Sequence, residues 1–268
     1  MLRRSSMMAI MLVLVAPQVR AQTTTALMPL PRSIVPGDGA LPVKGPFAPT
    51  WSNCGDRDLL DRAAARLQDD VVRQTGLVFD PALPAPLAVR CESPRPATDD
   101  AEGYRLVVDA AGINVVAEGP AGVIRAFATL RQLIGLSPHA IVLPAVTIED
   151  SPRFAWRSVM LDTARHFLSV ATIKRQLDAM ERVKFNVLHL HLSDDQGFRV
   201  ESRRYPRLTA ASRGEFYSQA EIREIVAYAA DRGILIVPEF DVPGHSRAIV
   251  EAYPEVGVTG SKAFAGLH

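Results

Sequence analysis

Three short clusters in the second half of the chain combine carboxylates, imidazoles and a guanidinium: Asp162, Arg165 and His166; Asp194 and Asp195; Glu239, Asp241 and His245. Carboxylates and imidazoles hold and move protons near neutral pH, and a guanidinium offers forked donors to oxygen-rich ligands. Each cluster follows a short apolar run, and the runs Ser158 to Leu161, Asn186 to Leu192 and Ile234 to Phe240 read as strands. The last is almost wholly apolar, the pattern of a strand buried on both faces of a parallel sheet. Ser169 is an N-cap for a helix whose buried stripe is Ile173, Leu177, Met180 and Val183. Ser218 and Glu221 form a capping box for a second helix, carried by Ile222, Ile225, Val226 and Ala229 and ended by Gly233. Repeated strand–helix units predict an α/β fold, a doubly wound sheet or a (β/α)8 barrel. In both, the C-terminal edge of the strands holds the site. One polar loop alone reads as solvated surface; three on successive strands read as a site.

The middle strand shows the expected geometry. Alternation puts Leu188, Leu190 and Leu192 on the face toward the helices and Val187, His189 and His191 on the face toward a barrel interior. Each histidine taken alone reads as a core residue with satisfied ring nitrogens. The His-x-His spacing also fits a metal-dependent barrel hydrolase, with Asp194 or His245 as a further ligand. Against that, the Asp-Asp pair follows the histidines closely and no histidine stands on a later strand.

The segments Leu161-Asp-Thr-Ala-Arg-His-Phe167, Asn186-Val-Leu-His-Leu-His-Leu-Ser-Asp-Asp-Gln-Gly-Phe198 and Val237-Pro-Glu-Phe-Asp-Val-Pro-Gly-His245 together resemble the first three strand-end motifs of the β-N-acetylhexosaminidases, glycoside hydrolase family 20. Upstream, Glu102-Gly-Tyr-Arg-Leu-Val-Val-Asp109 and Gly122 to Leu133 are similar to the small domain that precedes the barrel in that family. Phe198 departs from the pattern, since many members carry tryptophan there. The resemblance implies exo-acting hydrolysis of terminal N-acetylhexosamine with retention, in which the substrate's own acetamido oxygen is the nucleophile and no cofactor or metal is used. An acetamido group already on the sugar has a high effective molarity, so the protein has to supply orientation and charge. By motif, Arg165 would bind hydroxyls of the terminal sugar. Asp194 and His245 would relay charge to a general-acid glutamate, with Asp195 as the fallback for Asp194. Asp162, His166, His191, Glu239 and Asp241 would hold the strand ends.

The resemblance stops short of the chemistry. The family's catalytic Asp-Glu pair follows a fourth strand, and no Asp-Glu dipeptide occurs here after Pro152. Trp51 and Trp156 both precede the three motifs, whereas the family's sugar-walling tryptophans come from later strands. Residues 151–268 suffice for about three βα units, while a barrel needs about 250 residues. The expectation is therefore a fragment of a longer enzyme, inactive as an isolated chain; release of p-nitrophenol from an aryl N-acetylglucosaminide by residues 1–268 would refute that. A carbohydrate-binding relative without activity is the non-enzyme alternative.

The first half has a different grammar. Arg3, Arg4, the apolar run Met7 to Ala16 and Val19-Arg20-Ala21 read as a secretory signal peptide over residues 1–21, predicting export to a periplasm or beyond. Residues 22–150 read as a small α+β domain. They comprise an extended lead-in to Pro49 with one short strand near Ser33 to Val35, a helix over Asp56 to Thr75 capped by Gly76, and a strand over Leu87 to Arg90. A hairpin of Tyr104 to Asp109 with Ile113 to Ala117, and a helix over Ala121 to Leu136, complete it. Residues 151–268 form the incomplete barrel. Cys54 and Cys91 fit either a disulfide or two separate buried thiols. With 48% apolar and 22% charged residues the chain is an ordinary globular one, and a net charge of +1 without a basic run excludes nucleic acid or an anionic membrane as evident partners. The expected partners are N-acetylhexosamine-containing oligosaccharides or glycoconjugates. The sequence sets neither the oligomeric state nor glucosamine against galactosamine preference.

Overall fold

The computed structural model describes residues 26–76, 78–92, 101–137 and 140–257. Residues 1–21, expected to be a signal peptide, and residues 258–268 lie outside them. The chain runs through β1 (Ser33–Val43), β2 (Phe47–Ser52), α1 (Arg57–Thr75), β3 (Ala85–Cys91), β4 (Tyr104–Asp109), β5 (Gly112–Ala117), α2 (Pro120–Gln132), β6 (Gly135–Ser137) and β7 (Ala140–Asp150). It continues through β8 (Ser158–Asp162), α3 (Val170–Arg182), β9 (Val187–His191), β10 (Ser193–Asp194), β11 (Gly197–Phe198), α4 (Gln219–Ala230), β12 (Leu235–Glu239) and α5 (Arg247–Ala252).

The first seven strands form a mixed sheet in the order β1-β7-β4-β5-β3-β2, with β6 on β7. Strict alternation along β3 buries Ala85, Leu87, Val89 and Cys91, and these join residues of α1 and α2 in one apolar core. Gly76 closes α1 at φ 65°, as the sequence predicts, while Asp56, expected as the first helical residue, instead caps the helix by accepting from the Leu59 N–H. Cys54 and Cys91 are joined in a disulfide, which settles the alternative the spacing left open.

Three readings of this half are corrected. The lead-in carries two strands, β1 and β2, rather than one short one. Pro36 and Pro42 hide β1 in the sequence, yet β1 is an edge strand paired only with β7 and bulged between Pro36 and Ala40, where a missing N–H costs little. The second helix ends at Gln132, and Gly135–Ser137 turns into β6. The long strand β7, with Pro144 inside it, was not anticipated.

Helix α2 is buried over nearly its whole length because it lies between the sheet and α3. Gly122 makes its approach possible: a Cβ there would stand 2.5 Å from the Gly103 carbonyl oxygen.

The second half builds a three-stranded parallel sheet in the order β12-β9-β8, with α3 and α4 packed on one face. Leu188, Leu190 and Leu192 point into that helix-covered core beside Ile173, Leu177 and Ile225, as alternation predicts. Ser169 caps α3, and the Ser218–Glu221 capping box opens α4. The strand over 234–240 departs from expectation. It spans Leu235–Glu239 and is half-exposed rather than buried on both faces, because β12 is an edge of this open sheet. The arrangement is that of the first units of a (β/α)8 barrel, with no closed barrel among the described residues.

Candidate active site

The parallel register brings the three polar clusters to one edge. Asp162 of β8 and Glu239 of β12 both stand opposite His191 of β9, so one row reads carboxylate, imidazole, carboxylate across the sheet. Beyond β9 the chain folds into the short β10–β11 hairpin, which sets Asp194 above this row. The loop after β8 carries Arg165, and the loop after β12 carries His245.

Asp194 is the hub. Its side chain is only 1% exposed, and each oxygen accepts two contacts. Oδ2 lies 2.7 Å from Arg165 Nη2 and 3.0 Å from His191 Nε2. Oδ1 accepts the Asp195 backbone N–H at 2.5 Å and lies 3.2 Å from His245 Nδ1. Burial by itself would push this carboxyl up. The Asp195 N–H, His191 and the Arg165 and His245 charges outweigh it and hold Asp194 below its ordinary value.

Arg165 is held twice more by Asp162, through its backbone N–H at 3.0 Å and its Nη1 at 2.5 Å. Those bonds overcome burial and hold the Asp162 carboxyl below its ordinary value. The guanidinium still leaves 42% of the Arg165 side chain exposed, so its orientation is fixed while one face stays open. His245 sits at φ 54°, in the left-handed region that few non-glycine residues occupy. That turn points Nδ1 back at Asp194 and leaves half of the side chain exposed. An ionised carboxylate only accepts, so Nδ1 carries a proton and donates to Asp194, which leaves Nε2 unengaged by this contact.

The remaining predicted residues divide. Glu239 bridges His191, at 2.7 Å, and His189. The backbone N–H of Asp241 donates to Ser193 Oγ at 3.1 Å. The fallback, Asp195, lies beside the hub and accepts the Arg247 N–H at 3.1 Å. His166 is exposed and stands outside this network. The metal alternative loses its ligand pair, because His189 and His191 are both turned onto Glu239. Asp194, Asp195 and His245 do bring potential ligand atoms within 4.8 Å of one another, but the Arg165 cation already rests on Asp194.

One positioning residue escaped sequence reasoning. The buried Arg199 donates to the carbonyls of Thr163 and Ala164, at 3.1 and 2.7 Å, and so fastens the backbone just before Arg165. Arg199 directly follows the second motif, and a charged residue at a position that the alternation of Gly197 to Val200 buries was the available signal.

These residues all fall within one of two family matches, that of the catalytic domain. The profile of the catalytic domain of glycosyl hydrolase family 20 matches residues 154–265, and that of domain 2 of the same family matches residues 24–151. The chain belongs to glycosyl hydrolase family 20. A Beta-N-acetylhexosaminidase of Cellulomonas fimi is 41% identical over 212 residues, covering 76% of this chain and 41% of that protein. The chitobiase of Flavobacterium johnsoniae superposes with a TM-score of 0.80 at 38% identity, over 88% of this chain and 38% of that one. An exo β-N-acetylglucosaminidase of Vibrio harveyi, solved in complex with N-acetylglucosamine, gives 0.74 at 31% identity, over 90% and 40%. The chain thus spans about two fifths of the length of these relatives. The family assignment expected from the three motifs holds.

Proposed function

We propose that the protein carrying this chain is an exported, exo-acting β-N-acetylhexosaminidase. It removes terminal N-acetylhexosamine from oligosaccharides or glycoconjugates, with the substrate's acetamido group as nucleophile. One observation carries the reading: Arg165 and His245, from the first and third strand ends, converge on a single buried carboxylate from the second and keep their outer faces open. Arg165 is oriented to donate to sugar hydroxyls, and Asp194 and Asp162 prevent it from swinging away. His245, with its proton on Nδ1 held by Asp194, presents Nε2 to a general acid. That acid is not in this sequence after Pro152, where no Asp-Glu dipeptide occurs. When the acid gives up its proton to the leaving oxygen, the His245–Asp194 pair would stabilise the changing charge.

The N-acetylglucosamine bound by the Vibrio harveyi relative supports the substrate class. The Cys54–Cys91 disulfide supports an oxidising compartment, in keeping with the leader-like residues 1–21. The two family matches support a domain division near residue 151. The test uses the complete gene product on an aryl N-acetyl-β-glucosaminide. His245→Asn tolerates the left-handed backbone but removes the ring, and it should lower kcat about a hundredfold with KM within about threefold. Unchanged kcat would refute the relay.

A further inference from the structure

His191 is buried, with 3% of its side chain exposed, and carboxylates face both of its ring nitrogens. Nδ1 is 2.7 Å from Glu239 Oε1, and Nε2 is 3.0 Å from Asp194 Oδ2. A neutral imidazole has one N–H and one bare lone pair. In a site too enclosed for water to intervene, one of these contacts would then set a lone pair against a carboxylate oxygen. Only the imidazolium donates to both. Moving the missing proton to a partner does not help. Asp194 already accepts from the Asp195 N–H and from Arg165, and Glu239 lies between His191 and His189.

We propose that His191 is an imidazolium at neutral pH at the centre of the strand-end row, a positioning residue that keeps Asp194 ionised and in place for the Asp194–His245 relay. The relay half rests on the function proposed above; the charge of His191 does not. The surroundings agree on every side. Asp162 faces it from β8, Glu239 from β12 and Asp194 from β10. Arg165 lies beyond Asp162 and Asp194, His189 beyond Glu239, and Asp195 and His245 beyond Asp194. Burial pulls His191 toward neutrality, but the bonds to Asp194 and Glu239 and the charges of Glu239 and Asp162 outweigh it and hold its value above 6.5. An alternating row of charges is favourable across strands. Without the central cation, Asp162 and Glu239 would flank a neutral ring and Asp194 would keep Arg165 as its main counter-charge.

Two measurements test this. The first is nitrogen NMR of the chain with labelled histidine. At about pH 7, where an ordinary histidine is mostly neutral, both His191 nitrogens should carry protons. Glu239→Gln should lower the pH at which one is lost. A bare nitrogen at that pH in the unsubstituted chain would overturn the proposal, whether or not the variant folds. The second is the pH profile of His191→Gln in the complete gene product. The acid limb of kcat should move toward neutrality, with kcat near pH 5 falling roughly tenfold more than near pH 7. A uniform loss with an unmoved limb would overturn the positioning role. An inactive unsubstituted enzyme would instead contradict the proposed function, leaving the NMR result to decide the charge of His191.

Discussion

The two ends of the same three parallel strands both gather charge, yet they are built for opposite purposes. At the N-terminal end, Glu102 bonds Arg125 at 3.1 Å and also pairs with Arg157 and Asn186. Arg125 goes on to the carbonyls of Arg232 and Gly233, while Lys184 holds Asp150 at 2.7 Å and Tyr104 at 2.8 Å. Those donors face inward, onto carboxylates and carbonyls that seam the two sheets together. At the C-terminal end, a comparable set converges on Asp194, but Arg165 and His245 turn a face to solvent. Buried charge alone is therefore a poor marker of a site in this protein. What marks the site is a buried hub with half-exposed spokes.

The sharpest way to break this contrast is Glu102→Ala. It strands Arg125, only 2% exposed, without its carboxylate. Unfolding in denaturant should show a loss of about 3–5 kcal/mol, the cost of leaving a buried charge unpaired. A loss below about 1 kcal/mol would mean that the seam does not bind the two sheets. Replacing Cys54 and Cys91 together by serine should cost about 2–4 kcal/mol in the same measurement and leave the strand-end site untouched.

The strand-end cluster should show itself through pH. Asp162, Asp194 and Glu239 are held below their ordinary values, so their contribution is present above the usual carboxylate range and lost as pH falls through the lowered values. His191 is raised, so its contribution is complete below 6.5 and lost as pH rises through its folded value. Thermal stability should peak between these limits, and Glu239→Gln should flatten the decline on the alkaline side. An unaltered profile would contradict the linked charges. The smallest effect belongs to the exposed Arg207–Glu255 pair, where Arg207→Ala should change stability by less than about 0.5 kcal/mol.

Much of the site was legible because strand ends carry their chemistry in short contiguous motifs. Asp162 with Arg165, Asp194 with Asp195, and Glu239 through His245 could each be read as strings, and the parallel register then brought them together. The Ser218–Glu221 box and the Ser169 cap were equally local signals. What escaped depends on distant partners. Pro36, Pro42 and Pro144 obscure β1 and β7 until their pairing places β1 at an edge. Leu235 is as apolar as a buried strand residue but is exposed on an edge strand. The Arg199 contact with Thr163 and Ala164 spans two strands, and the charge of His191 follows from Glu239, 48 residues away.

The central claim is that the open face of Arg165 recognises the sugar while Asp162 and Asp194 hold the guanidinium in position. Its most direct test is kcat/KM of Arg165→Lys in the complete gene product on an aryl N-acetyl-β-glucosaminide, read beside its melting temperature. A lysine keeps the charge but loses the fork that spans Asp162, Asp194 and the substrate, so kcat/KM should fall about a hundredfold with Tm within about 2 °C. Undiminished kcat/KM would contradict the account.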